Sequence, residues 1–430
     1  MSITTTAVYE RPLAVSEAMF VESGMPMTLC HSLSGPVDEG VLDEALGVLA
    51  EVHPVLTARC RPVAGGHLLT CCPASPPTLR TEPDTDFATA TAPFVPGSPM
   101  VRAALLGRPG GERRFVLCVH HAIADGVSSL TALALLWEIY TARVTGRAPR
   151  LPPAAAGLPQ PVEPYFRGKV TRRELDGFLA RRAAHVQALA PLCFPAEAAG
   201  RDPYGPAHGV HTRRVDLGRE QTDRLVRTAR DGGVSTHSLA CGLILTAVRD
   251  IADDTPGTRT LTCTSALDVR RRITPPLPPH RLVMAAGAME ASVSVTDGDD
   301  PVRVAGQVWE QMRATVRSGE LDLSIAALPE LAAQALTRGP ALPMSVAVTD
   351  LTGNTPVLTT PPGLTASTPW GYVETHGPVP VVALSGHHTS TLSLTLALPR
   401  AFFTAEQTQH LADALGRTAE RALGVGVVAT

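Results

Sequence analysis

The amino-acid sequence predicts an α/β protein built from two subdomains, and three observations carry that expectation. At 430 residues the chain can bury a large core and is long for a single domain. Runs of strand composition alternate with runs of helical period in both halves, so the halves share one rhythm. Between Gly146 and Pro164 prolines recur too densely for a helix, and the stretch reads as a linker. The expected division is therefore an N-terminal subdomain over 1–150, a proline-rich linker and helix over 151–205, and a C-terminal subdomain over 206–430.

The elements follow in order. Residues 14–24 read as a short helix or turn, with Ser16 before Glu17, and Met25 to Leu33 as a strand. Val37 to Val52 is amphipathic, with Val41, Leu42, Leu46 and Leu49 on one face, and Asp38 favours the helix start. Thr57 to Pro62 and His67 to Cys71 form a hairpin around Gly65-Gly66. Residues 73–99 are rich in Pro, Thr and Asp and read as a long surface connection anchored at Phe94. Met100 to Leu106 and Arg113 to Val119 are strands about a Gly110-Gly111 turn. A helix covers Val127 to Ala142, where Leu130, Leu133, Leu136, Trp137 and Tyr140 recur at helical spacing. Further helices are expected over Thr171 to Ala190, Arg219 to Asp231, Leu239 to Ile251 with Ser235 as cap, and Thr404 to Leu423. Strands are expected over Val210 to Leu217, Thr260 to Leu267, Ala286 to Val295, Met344 to Val348, Val379 to Leu384 and Thr391 to Leu398.

Bulk properties exclude several function classes. A net charge of −3 with 18% charged residues leaves no basic stripe for nucleic acid. Lys169 is the sole lysine, so a Schiff-base or Ser-Lys mechanism would have to rest on it. Eight cysteines show neither C-x-x-C nor zinc spacing, which fits a reducing, cytoplasmic setting. Met1 to Pro12 lacks the pattern of a signal peptide, and no apolar run is long enough to span a membrane.

The chemistry-bearing stretch is His120-His121-Ala122-Ile123-Ala124-Asp125-Gly126. It lies between the apolar run Phe115 to Val119 and the helix that follows, so two histidines stand where a strand ends. Rigid strand ends favour catalytic side chains, and histidine is the usual general base near neutral pH. The bland alternative is that the histidines finish a strand and Asp125 caps a helix. The spacing of His-His, Asp and Gly in a chain with 14 histidines favours the functional reading.

That element, H-H-x-x-x-D-G, resembles the signature of the chloramphenicol-acetyltransferase-like superfamily, which includes condensation domains of nonribosomal peptide synthetases. More closely, the chain resembles stand-alone polyketide-associated acyltransferases of the phthiocerol dimycocerosyl transferase type. His53-Pro54-Val55-Leu56-Thr57-Ala58-Arg59, Gly233-Val234-Ser235-Thr236-His237 and Leu267-Asp268-Val269-Arg270 are similar to further family segments, although Ala266 replaces the usual proline. The resemblance implies two chloramphenicol-acetyltransferase-like subdomains forming a V-shaped pseudo-dimer with a central tunnel. It implies an acyltransferase that moves an acyl group from a carrier-protein or coenzyme A thioester to an alcohol or amine in natural-product or lipid biosynthesis. Condensation-like amide formation on carrier-bound substrates, or a non-catalytic carrier-binding module of this fold, are the alternatives.

The candidate catalytic set is His121, Asp125 and Gly126. By resemblance His121 is the general base and Asp125 turns away to pair with Arg270, with His120 and Arg270 fixing the loop. A triad in which Asp125 orients His121 stays open. Gly126 is expected to allow close backbone approach or unusual dihedrals, and N–H groups near it to stabilise an oxyanion. Family members often carry Ser-Asn-x-Gly where this chain has Thr349-Asp350-Leu351-Thr352-Gly353, so Asp350 and Gly353 are expected to line the substrate channel. No metal and no cofactor is implied beyond the acyl-CoA or phosphopantetheinyl acyl carrier protein that serves as donor. The expected partners are that donor and a small-molecule acceptor, and the chain is expected to be a monomer.

Competing signals are weaker. His387-His388 lacks an aspartate at the matching spacing and reads as a turn. His208 and His211 have no third metal ligand in reach, and Asp297, Asp299 and Asp300 read as a turn. The basic face Arg172, Arg173, Arg181 and Arg182 reads as solvated, with docking of an acidic carrier protein as the alternative.

Overall fold

The structure, a computed structural model, describes residues 9–81, 87–155, 157–196, 209–252, 255–338, 344–375, 377–387, 390–424 and 428–429. The first part of the chain runs β1 (Tyr9–Pro12), α1 (Val15–Ser23), β2 (Pro26–Ser34), α2 (Glu39–Val52), β3 (Ala58–Val63), β4 (Gly66–Cys71) and β5 (Leu79–Arg80). It continues through α3 (Phe87–Thr91), β6 (Val101–Leu106), β7 (Arg113–His120) and α4 (Gly126–Val144). Then follow α5 (Glu163–Arg167), α6 (Arg172–Ala188), β8 (Val210–Leu217), α7 (Arg219–Asp231), α8 (Thr236–Ala252), β9 (Arg259–Asp268) and β10 (Ala286–Val295). The remainder is α9 (Pro301–Arg317), α10 (Glu320–Ala326), α11 (Leu328–Arg338), β11 (Val346–Asp350), β12 (Thr365–Ala366), β13 (Trp370–Val373), β14 (Val381–Gly386), β15 (Leu392–Pro399), α12 (Ala405–Leu423) and β16 (Val428–Ala429).

Two compact units result. The first comprises Met1–Val162, Arg270–Ala285 and Asn354–Gly371; the second comprises Glu163–Val269, Ala286–Gly353 and Tyr372–Thr430. This corrects the contiguous division expected from the sequence. The break falls inside the proline-rich stretch, but α5 and α6 belong to the second unit, and two later segments return to the first. Proline density reports only local backbone freedom, whereas membership of a core is decided by pairing with distant strands, as when Thr365 pairs with Ser34.

In the first unit β7 lies between β2 and β6, antiparallel to both. Its residues Phe115, Val116, Leu117, Cys118 and Val119 are all buried, which explains a continuous apolar run in place of alternation. Helix α2 packs on α4, and Asp38 caps α2 by accepting from the Val41 N–H at 3.0 Å. Leu130, Leu133, Leu136, Trp137 and Tyr140 of α4 are buried, each worth roughly 1.5–3 kcal/mol of apolar transfer for a side chain of that size. The Trp137 indole also donates to His31 Nε2 at 2.9 Å, so its one polar atom is satisfied in the core. The expected surface connection 73–99 contains the short helix α3, and Ala90 and Phe94 join the core beside Cys118.

The second unit is a seven-stranded mixed sheet ordered β10-β9-β11-β14-β15-β8-β16, with β11 parallel to both neighbours. Helices α8, α9 and α12 pack together, and Gly242 of α8 sits so near α9 that an added Cβ would meet the Pro301 carbonyl at 2.2 Å. Helices α9 to α11 were not expected from the sequence. Asp300 is the cap of α9 and accepts from the Val302 N–H at 2.9 Å, Asp299 pairs with Arg303, and Asp297 pairs with the fully buried Arg249. The basic face of α6 is partly engaged inside this unit: Arg182 forms a two-pronged contact with Glu290 at 3.0 and 2.6 Å, and Arg181 reaches Glu320 at 3.4 Å. Among the described residues, no helix is long and apolar enough to cross a membrane.

Candidate active site

The histidine stretch turns the end of β7 into the start of α4. His120 is the last residue of β7 and pairs with Pro26 across the sheet, while the His121 N–H donates to the Met25 carbonyl at 2.9 Å. The backbone of the turn is therefore tied to β2. His120 is buried, its Nδ1 accepts from the Ala122 N–H at 3.1 Å, and its ring lies 5.2 Å from the Phe94 ring. Burial, reinforced by His121 and Arg102, holds its pKa down at about 3, so it stays neutral.

His121 is placed differently. Its Nδ1 lies 3.0 Å from the Ala124 carbonyl, an acceptor only, so the ring proton resides on Nδ1. Nε2 then carries the lone pair. Burial lowers the His121 pKa against the opposing pull of that carbonyl and of Asp125, which keeps the ring neutral near pH 7. The Phe20 ring packs 4.5 Å away at 31° and limits rotation of the imidazole. The result is an oriented, uncharged imidazole.

Asp125 does not orient it. One carboxylate oxygen accepts from the Ser128 N–H at 2.8 Å and from Arg270 Nη2 at 3.0 Å; the other accepts from Arg270 Nη1 at 2.8 Å and from the Ala285 N–H at 2.9 Å. Four bonds saturate the carboxylate, and none of them comes from the His121 ring. Arg270 also donates to Ser128 Oγ at 2.7 Å and to the Val283 carbonyl at 3.0 Å, and both charged side chains are only 3% exposed. Ser128, Val283 and Ala285 were not singled out in the sequence. The Gly-Val-Ser that follows Asp125 was a signal for Ser128, but nothing local pointed to the two backbone groups.

Gly126 is the first residue of α4 and has no positive φ, so the expected unusual dihedral is corrected. A helix start already requires ordinary helical angles. Its N–H and that of Val127 belong to the first turn, where helical donors lack intrahelical acceptors. They add to the positive end of the helix dipole.

The stretch around Asp350 belongs to the second unit. Asp350 ends β11, and its Oδ1 accepts from the Thr352 N–H at 2.9 Å and Oγ1 at 2.6 Å. Its Oδ2 lies 3.3 Å from Nδ1 of His237, a residue whose role the sequence reading missed. Both oxygens of Asp350 therefore have polar neighbours within the second unit. Gly353 is exposed with open space where a Cβ would stand, so no close approach requires it. His387 lies at the turn after β14, while His388 and His208 fall outside the described residues. Among the described residues, no group of three or more His, Cys, Asp or Glu side chains could hold a metal ion.

Comparison with known proteins bears on the whole chain. Residues 206–404 match the family described as phthiocerol/phthiodiolone dimycocerosyl transferase C-terminus. Phthiocerol/phthiodiolone dimycocerosyl transferases of two Mycobacterium strains, JLS and MCS, are each 26% identical over 427 residues, covering 95% of this chain and 100% of theirs. Polyketide synthase associated protein 5 from Mycobacterium tuberculosis superposes with a TM-score of 0.75 at 21% identity, over 96% of this chain and 98% of that one. The chain has the α/β fold of that structure. The first condensation domain of the calcium-dependent antibiotic synthetase shares the fold at TM-score 0.67 and 17% identity, with 96% of both chains covered. So does the epimerization domain of tyrocidine synthetase B, at 0.68 and 14%, with 98% of both covered. One fold thus carries reactions with different names, and the chemistry of this chain has to be argued from its own site.

Proposed function

We propose that this protein is an acyltransferase that moves an acyl group from a carrier-protein or coenzyme A thioester to an alcohol or amine, with His121 as general base. The observation that carries the reading is the His121 tautomer: Nδ1 donates to the Ala124 carbonyl and Nε2 is left as the proton acceptor. Nε2 takes the proton of the acceptor hydroxyl or amine as that atom attacks the thioester carbon. The carbonyl oxygen becomes an oxyanion, for which the Gly126 and Val127 N–H groups at the start of α4 are suited donors. Collapse breaks the carbon–sulfur bond, and the imidazolium returns its proton to the departing thiolate. The ester or amide leaves with no acyl-enzyme formed. Holding both substrates at one point supplies the rest of the acceleration.

The relatives are named for transfer of mycocerosyl groups to phthiocerol or phthiodiolone, which supports a hydroxyl acceptor and an ester product. No group besides the donor's own pantetheine arm is needed. The test incubates the protein with acyl-CoA and acyl-carrier thioesters and a panel of alcohols and amines, with products followed by mass spectrometry. Full transfer by His121→Ala would remove the base assignment. Carrier binding without turnover on any acceptor would favour a binding module, and amide products alone would favour condensation-like chemistry.

A further inference from the structure

The second unit holds a titratable cluster that the acyl-transfer steps do not use. His237, in the first turn of α8, bridges two strands: its Nδ1 is 3.3 Å from Asp350 Oδ2 on β11, and its Nε2 is 2.9 Å from Ser265 Oγ on β9. Cys241, on the same helix, lies 3.4 Å from Nε2, and Cys263 of β9 lies 3.7 Å from Cys241. Among the described residues, these four bring polar or titratable groups close to the imidazole. β9 and β11 are paired in parallel with Ser265 opposite Val348, so the ring spans neighbouring strands close to their ends.

Both of these strands lead out of the unit. From β9 the chain passes through Val269 into Arg270 of the first unit, and from β11 it passes through Gly353 into Asn354. Arg270 is the residue that holds Asp125 beneath the histidine turn. We propose that His237 is a positioning residue for acyl transfer, its imidazolium joining Asp350 to Ser265 and so setting the strand ends from which the chain enters the catalytic unit. The proposal rests on the acyl-transfer reading of that unit.

The charge state supports it. Burial alone would lower the His237 pKa, but the bond to Asp350 and its charge more than offset this, and the net direction is upward. Asp350 is held below the usual carboxylate range despite its own burial, by His237 and by the two bonds from Thr352. An asparagine at 350 could keep the Thr352 bonds through its oxygen but would lose the charge. The clamp is therefore present between the two titrations and opens as pH rises past the raised pKa of His237.

The experiment measures kcat against pH for transfer from acyl-CoA to a primary alcohol, beside an NMR titration of labelled histidine. In the wild-type protein the expected result is a His237 midpoint above 6.5 and a fall in kcat on the alkaline side at that same midpoint. Asp350→Asn should move both midpoints down by about one unit or more, the usual effect of losing an adjacent opposite charge. His237→Gln should lower kcat and remove the alkaline fall. Variants with reduced melting temperature but pH profiles that superimpose on the wild type would overturn the positioning role alone. A wild-type protein that transfers no acyl group to any acceptor would overturn the acyl-transfer reading and this proposal with it.

Discussion

Breaking the Arg270–Asp125 pair should destabilise the protein as well as slow it. Arg270→Ala leaves a carboxylate that is 3% exposed with only the Ser128 and Ala285 N–H groups, and removes the donors to Ser128 Oγ and the Val283 carbonyl. Removing one partner of a buried ion pair costs about 3–5 kcal/mol, because the other charge stays buried without its counterion. In a domain of 150–250 residues each kcal/mol lowers the melting temperature by roughly 2–4 °C, so a fall on the order of 6–20 °C is expected. Asp125→Asn should fall in the same range, since it leaves Arg270 uncompensated. The double variant should lose less than the sum, by a coupling of about 0.5–3 kcal/mol. Scanning calorimetry or thermal-shift melting measures each stability, and acyl transfer is assayed on the same samples. Wild-type melting in Asp125→Asn combined with lost turnover would refute the architectural argument and restore a triad role.

Three further outcomes follow from the structure. His121→Ala should reduce transfer by roughly 10²–10⁴-fold, the usual contribution of a positioned base, while melting stays close to wild type. Single-turnover rates on folded protein check this. His31 and His53 are pushed down to about 4 and His120 to about 3, in each case chiefly by burial. The unfolded chain binds protons at these positions below about 6.5 and the native state does not, so stability is full above that pH and falls as pH drops towards 4. Each histidine contributes a slope of up to about 1.4 kcal/mol per pH unit, and urea unfolding between pH 7.5 and 4.5 should show the decline. Flat stability across that range would count against buried neutral histidines. Gly242→Ala should destabilise by about 1–3 kcal/mol although alanine is the better helix former, because the added methyl meets the Pro301 carbonyl at 2.2 Å. A stabilised variant would show that α8 and α9 separate at little cost.

Periodicity and local chemistry determined much of this protein. The strand–histidine–helix sequence from Phe115 to Tyr140, the hairpin around Gly65-Gly66 and the capped helices at Asp38, Ser235 and Thr404 depend on neighbouring residues, and all were legible. So were His121 as the base candidate and, through resemblance, the link from Asp125 to Arg270. Other features depended on groups far apart in the chain. The Asp350–His237 contact joins two residues that carry no shared motif, and the Ala285 and Val283 backbone groups became visible only once the chain folded back on Asp125. Even α9 was missed, although Val304, Val308 and Met312 recur at helical spacing, because the acidic residues before it resemble a turn. The sequence by itself singled out the histidine pair at a strand end and His121 as the candidate base. Tertiary structure decided which charges would be buried beside it, since a carboxylate's partner is chosen by proximity in space and not by distance along the chain.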